Sequence, residues 1–234
     1  MTDTMSQTSN TTATAPCADV RAARRRSVIE AMRAAGGGVA ILPTAPERMR
    51  NRDSDYPYRW DSYFHYLTGF PEPEAVLVIV ADAEHAESIL FCREKNEERE
   101  IWDGFRYGPQ AAAERFGFDR ALPIGSLDEE VPKLLANRAA LFHALGADET
   151  LDARVRLWLG QVRAQARAGV ASPTRAIDLL AILDEMRLRK DETELETMRR
   201  AARISAAAHR RAMLATTPGR FEYEIEAELL YEFR

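Results

Sequence analysis

The sequence predicts an α/β fold in which a mixed β-sheet is flanked by helices, and three observations lead there. Runs such as "VAILP" (Val39–Pro43) and "AVLVIV" (Ala75–Val80) are short, continuous, apolar and rich in β-branched residues, the pattern of strands covered on both faces. Helical periodicities alternate irregularly with them, which favours a mixed sheet over an all-β barrel or a bundle. A chain of 234 residues, 46% of them hydrophobic, also has enough apolar material for a substantial core.

Residues 1–18, "MTDTMSQTSNTTATAPCA", read as a disordered tail: they lack the apolar core of a secretory signal and the arginines of a mitochondrial presequence. The acceptor-like Asn10-Thr11-Thr12 carries no weight without a secretory route. Asp19 can cap a helix with Val28, Ile29 and Met32 on one face, the run Arg24 to Arg26 on a solvated face, and Gly36 to Gly38 at its end. The strand Val39–Pro43 follows. Ala75–Val80 pairs with "SILFC" (Ser88–Cys92) as a hairpin through "ADAEHAE". Helical patterns are expected at Gln110–Phe116, Leu127–Leu135 and Leu151–Ala168, the last with Val155, Leu159 and Val162 on one stripe, and a strand at Ala140–Leu145.

"RAGVASPTR" (Arg167–Arg175) reads as a connection, after which "AIDLLAILDEMRLRK" reads as a helix. Asp191 and Glu194 then form a capping box for a helix running to about Ala215, roughly 35 Å long, which Pro218 stops. Ile225, Leu229 and Phe233 at four-residue spacing begin a further helix in which Arg234 is the last residue. These features predict two units, the second incomplete. The alternative is that both helices pack back on the first unit as a cap.

A formal charge of -5 and a pI near 5.6 argue against nucleic acid or an anionic membrane as partner, since both need a concentrated basic face. No apolar run approaches the ~20 residues of a membrane helix, so a soluble protein is expected. Cys17 and Cys92 form no disulfide framework, which predicts a reducing compartment. His65, His85, His143 and His209 are not spaced as metal ligands. Gly36 to Gly38 precede a strand, the wrong order for a dinucleotide fingerprint, and Ser172 reads as a turn serine. The acids of "EKNEERE" (Glu94–Glu100), and Glu222, Glu224, Glu226 and Glu228, read as solvated faces.

Two stretches remain as candidate functional segments. "RDSDYPYRWDSYFHYLTGF" (52–70) crowds seven rings around Asp53, Asp55 and Asp61, a composition suited to a partly wet wall. Domain core and inter-subunit packing are the alternative for most of those rings. In "EIWDGFRYGP" (Glu100–Pro109), a loop either presents Trp102 and Arg106 beside Gly104 and Gly108, or Trp102 plugs its own core.

Together with "EMRLRKDETELETMRRAARIS" and "PGRFEYEIEAEL", these stretches resemble, in order and spacing, the N-terminal half of bacterial Xaa-Pro aminopeptidases, the aminopeptidase P family, from about Arg24 to Arg234. The resemblance implies a creatinase-like N-terminal domain over residues 19–187 and the beginning of a pita-bread catalytic domain over 188–234. It implies two metal ions, usually Mn2+, bridged by a hydroxide that attacks the peptide carbonyl before proline. Their ligands, two aspartates, a histidine and two glutamates, would lie beyond Arg234, so this chain holds no metal ligand or catalytic residue and is expected to be inactive alone. A cytoplasmic location, proline-containing peptide substrates and a homo-oligomer when complete are also implied. Asp53 and Trp102 match positions near the family's cleft, where Asp53 would hold the polar N-terminal end of the peptide and Trp102 would pack against substrate. The alternatives are a Xaa-Pro dipeptidase of the same fold, or a non-catalytic module for oligomerisation or substrate gating.

Overall fold

The computed structural model describes residues 15–234. Residues 1–14 of the expected tail, with Asn10, lie outside the described residues. The chain divides into two compact units, the first ending at Glu185 and the second running from Met186 to Arg234.

The first unit is built on a six-stranded mixed sheet in the order β6-β5-β4-β1-β7-β8. Its centre is antiparallel: β1 (Gly38–Pro43) pairs with β4 (Val76–Ala81), which pairs with β5 (Ala86–Cys92). The β4–β5 turn is closed by Asp82, whose carboxylate accepts from the backbone N–H groups of Glu84 and His85 at 3.0 and 2.7 Å and pairs with Arg138. These bonds hold the Asp82 carboxyl at about 2. The flanks are parallel, with β6 (Arg120–Pro123) on β5, β7 (Ala140–Phe142) on β1, and β8 (Arg175–Ile177) on β7.

Period-2 alternation sends Val39, Ile41, Val76, Val78, Val80, Ile89 and Phe91 to one face. There they meet α5 (Leu127–Leu135) and α6 (Glu149–Ala164) through Val131, Leu135, Val155, Trp158 and Val162. Trp158 satisfies its indole N–H on Asp128 at 2.8 Å. Ala40, Leu42, Leu77, Ile79 and Leu90, alternating with the first set, are also buried. The elements α1 (Ala15–Ala34), α2 (Ser62–Thr68) and α4 (Gly108–Phe116) pack alongside the sheet. Double coverage is why these strands read as continuous apolar runs.

Several sequence expectations are corrected. The first helix starts at Ala15, so Asp19 lies within it instead of capping it. Arg25, expected on a solvated face, is only 3% exposed. Its guanidinium bonds the carbonyls of Leu67 (2.9 Å), Phe116 (3.3 Å) and Gly117 and stacks over Phe118. It thereby satisfies the orphan carbonyls at the ends of α2 and α4, and burial draws its pKa down to about 10. Ala176 and Ile177, expected in a helix, belong to β8; α7 (Leu179–Leu188) begins only after Asp178, which accepts from Leu180 N at 2.9 Å. The helix expected to reach Ala168 ends at Ala164 and continues as a 3-10 turn over Ala166–Ala168, and the strand expected to reach Leu145 ends at Phe142.

In the second unit, α8 (Glu192–Ala215) opens on the expected capping box. Asp191 accepts from Glu194 N at 2.9 Å and Glu194 accepts from Asp191 N at 3.1 Å. Helix α9 (Glu222–Phe233) lies against it, joined by an Arg211–Glu228 ion pair at 2.7 Å. Ala208 is the one buried residue of these two helices, and Met213, Leu214, Phe221, Tyr223 and Tyr231 are exposed. His209 is exposed and its Nδ1 lies 2.8 Å from the Ser205 carbonyl oxygen. Among the described residues no helix is long and apolar enough to cross a membrane.

Candidate functional site

The two candidate segments are held by one buried junction. Glu72, between Pro71 and Pro73, is 5% exposed and sits just before β4. One carboxylate oxygen accepts from the Tyr107 backbone N–H at 2.6 Å; the other lies 3.4 Å from the guanidinium of Arg93, the residue that follows β5. The Glu72 carbonyl accepts from the Tyr58 hydroxyl at 3.5 Å, and that hydroxyl lies 2.8 Å from Thr44 Oγ1, just past β1. The ends of three neighbouring strands are thus tied to both candidate segments. Cys92 lies beside this junction; burial, followed by the Glu72 charge, pushes its thiol up to about 12. Cys92 is therefore expected to resist a thiol reagent in the native chain and to react fully once unfolded, read by mass spectrometry of its peptide. Rapid native modification would show that the junction opens.

The stretch 52–70 divides by ring. Phe64 and Phe70 are core residues. Tyr66 lies under the Arg24 guanidinium at 4.0 Å, and the Tyr63 hydroxyl donates to Asp184 at 2.6 Å. Asp61 caps α2 by accepting from Tyr63 N and Phe64 N, both at 2.8 Å, and Gly69, at φ 63°, ends it. Tyr56 and Trp60 are exposed, and Trp60 stacks on His65 with centroids 4.4 Å apart. Burial and the charges of Arg21, Arg24 and Arg59 draw the His65 pKa down to about 4.

Asp53 lies in the turn of a small hairpin, β2 (Met49–Asn51) and β3 (Ser54–Asp55). The Asn51 side chain accepts from Asp53 N at 3.1 Å and Ser54 Oγ at 3.2 Å. The Asp53 carboxylate is exposed and makes no bond among the described residues. Trp102 stands on α3 (Glu97–Asp103), capped by Asn96, and is 86% exposed, so it does not plug its own core. Ile101 and Phe105 beside it are also exposed. The rest of the loop is anchored: Arg106 pairs with Asp103 at 2.6 Å, and Tyr107 meets Phe70, Phe105 and Phe116 with centroids 4.9 to 6.0 Å apart. No hydrogen bond, ion pair or ring contact joins Asp53 to Trp102.

Sequence reasoning missed Glu72 and Arg93. The available signal was a base directly after the apolar run Ser88–Cys92 and an acid between two prolines just upstream of the run Ala75–Val80. Among the described residues no three His, Cys, Asp or Glu side chains converge in a way that could hold a metal ion, so those residues do not fit the two-metal centre that the resemblance implies.

The family model described as "Aminopeptidase P, N-terminal domain" matches residues 21–142. The Xaa-Pro aminopeptidase of Escherichia coli (strain K12) is 41% identical over 211 residues, covering 90% of this chain and 47% of that protein. That of Haemophilus influenzae is 35% identical over 193 residues, covering 82% and 42%. Among solved structures, Pseudomonas aeruginosa aminopeptidase PepP superimposes with a TM-score of 0.89 at 45% identity, covering 93% of this chain and 49% of that one. An E. coli aminopeptidase P variant in complex with substrate does so with a TM-score of 0.88 at 40% identity, covering 92% and 49%. The chain therefore spans about half the length of the relatives it matches.

Proposed function

The chain belongs to the aminopeptidase P family by its N-terminal domain, and from that premise we propose that it forms the N-terminal portion of a metal-dependent Xaa-Pro aminopeptidase. Such an enzyme releases the first residue of peptides with proline in second position. Residues 19–187 are assigned to the N-terminal domain and 188–234 to the first helices of the pita-bread catalytic domain. The reacting metals, Mn2+ in this reading, are assigned to the part of the enzyme that these residues do not include. A zinc-substituted E. coli aminopeptidase P was solved with product, which supports a metal centre. A cytoplasmic homo-oligomer completes the reading.

One observation supports the site assignment most directly. Trp102 is almost wholly exposed, yet the segment behind it is bonded to buried Glu72. A large ring held out on an anchored support is suited to meeting a substrate or a neighbouring subunit. Asp53, carboxylate exposed on a hairpin turn, is suited to the ammonium end of a peptide.

In a chimera carrying the catalytic half of the E. coli relative, with Mn2+ added, Trp102→Ala is expected to lower kcat/KM for a Xaa-Pro peptide by about tenfold, a loss of about 1.4 kcal/mol of transition-state binding. Unchanged kinetics and assembly would remove Trp102 from the site. The 234-residue chain alone should release no residue; turnover by it would overturn the division of labour.

A further inference from the structure

Helix α9 is apolar on two sides, and within the second unit only one of them is used. Ile225 and Leu229 are half-buried on the side that meets α8, where Glu228 and Glu232 pair with Arg211 at 2.7 and 3.9 Å. Tyr223, Ala227 and Leu230, at i, i+4 and i+7, form a second stripe that stays exposed. Phe221, stacked on Tyr223 with centroids 5.5 Å apart, and Phe233 extend it at the two ends. A helix with hydrophobic residues on opposite sides is built to be covered on both.

Helix α8 carries a stripe of matching length. Arg203, Ala207, Arg210 and Leu214 recur at i, i+4, i+7 and i+11 and are all exposed, Leu214 by 75%. Ala207, Arg210 and Leu214 form one wall of a groove of about 460 Å³, and Glu228 and Glu232 of α9 stand on the other.

The charges left over are sorted by helix. The ion pairs of this unit engage Arg199, Arg211 and Arg220. Arg200, Arg203 and Arg210 on α8 make none among the described residues, and neither do Glu222 and Glu226, which border the outer stripe of α9. Unpaired cations on one helix and unpaired acids on its neighbour make the hairpin complementary to itself. Self-complementarity is what a two-fold interface needs, since each contact in it occurs twice. The apolar surface also suffices. Phe221, Tyr223, Leu230 and Phe233, with Met213 and Leu214 of α8, are 46 to 77% exposed. With the flanking charges they offer roughly the 800 Å² per partner of a stable interface.

We propose that the α8–α9 hairpin is a self-association surface, on which the outer stripe of α9 from one copy of this chain lies along the arginine-bearing stripe of α8 from a second copy, reciprocally. The inference goes beyond the peptide-cleaving reading and does not depend on it.

Sedimentation of the full chain from roughly 1 to 100 µM tests it. A species of twice the 26.3 kDa chain mass is expected at the upper end, weakened several-fold by raising NaCl to about 0.5 M. Leu230→Glu, and separately Arg203→Glu/Arg210→Glu, should each weaken the dimer at least tenfold. Adding Glu222→Arg/Glu226→Arg to the arginine variant should restore it. On the unaltered chain, amide exchange over Glu222–Phe233 should slow as the dimer forms, which keeps the test decisive where a variant fails to fold. The proposal is overturned by a chain that stays monomeric, including one that instead binds the separately produced catalytic half of the E. coli relative. It is also overturned by a dimer that is indifferent to salt, is protected elsewhere, or survives both sets of folded variants.

Discussion

Arg93→Ala is expected to lower the unfolding free energy by about 3–5 kcal/mol in urea titrations, because it strands the buried Glu72 carboxylate without its cation. Both side chains are almost completely buried, so solvent can do little to replace the lost partner. Glu72 also accepts from Tyr107 N, so a charge forced to protonate or move would loosen the segment that carries Trp102. The double variant Glu72→Gln/Arg93→Met should recover most of the loss, since it removes both charges and keeps an acceptor for Tyr107 N. A loss below about 1 kcal/mol for Arg93→Ala would mean that water reaches Glu72.

Substituting alanine along Gly36 to Gly38 should give a graded series with a severe end. At Gly36 an added Cβ meets the far end of the Arg175 side chain at 2.8 Å, which can swing away, so the main cost there is the left-handed φ of +95°. At Gly37 it meets the Ala81 carbonyl oxygen at 2.7 Å with φ at +76°, so backbone and conformation both object. At Gly38 it collides with the Ala140 carbonyl, which β7 holds in place. Gly38→Ala is expected to cost roughly 3 kcal/mol or more, at or beyond the usual range for overpacking, by wedging β1 from β7. Thermal unfolding of the three variants checks the order; a Gly38→Ala chain as stable as Gly36→Ala would show that the strands are not so closely apposed.

Those glycines show what was legible in the sequence. The triplet predicts the end of a helix, and Gly37 N fills that role by donating to Met32 O at 2.8 Å. The closeness of Gly38 to β7 has no local signal, because it depends on a strand about a hundred residues later. Strands rich in valine and isoleucine, and the box at Asp191 and Glu194, were readable because each is set by neighbours in sequence. Helix α2 had a readable signature in Asp61 and Gly69 that the density of rings obscured. The three-residue strand β8 is too short to display a period. Glu72 and Arg93 are 21 positions apart and have no local spacing to recognise.

The two outermost strands carry a consequence for the nascent chain. β6 and β8 have four and three residues, and each begins with an arginine, Arg120 and Arg175. A fibril grows by adding long, uncharged strands to an open border, and these borders are short and each carries a charged side chain. Passing neighbours on crowded ribosomes would find little template on which to polymerise, even though the interior segments Val76–Ala81 and Ile89–Cys92 are sticky enough to seed amyloid if left uncovered.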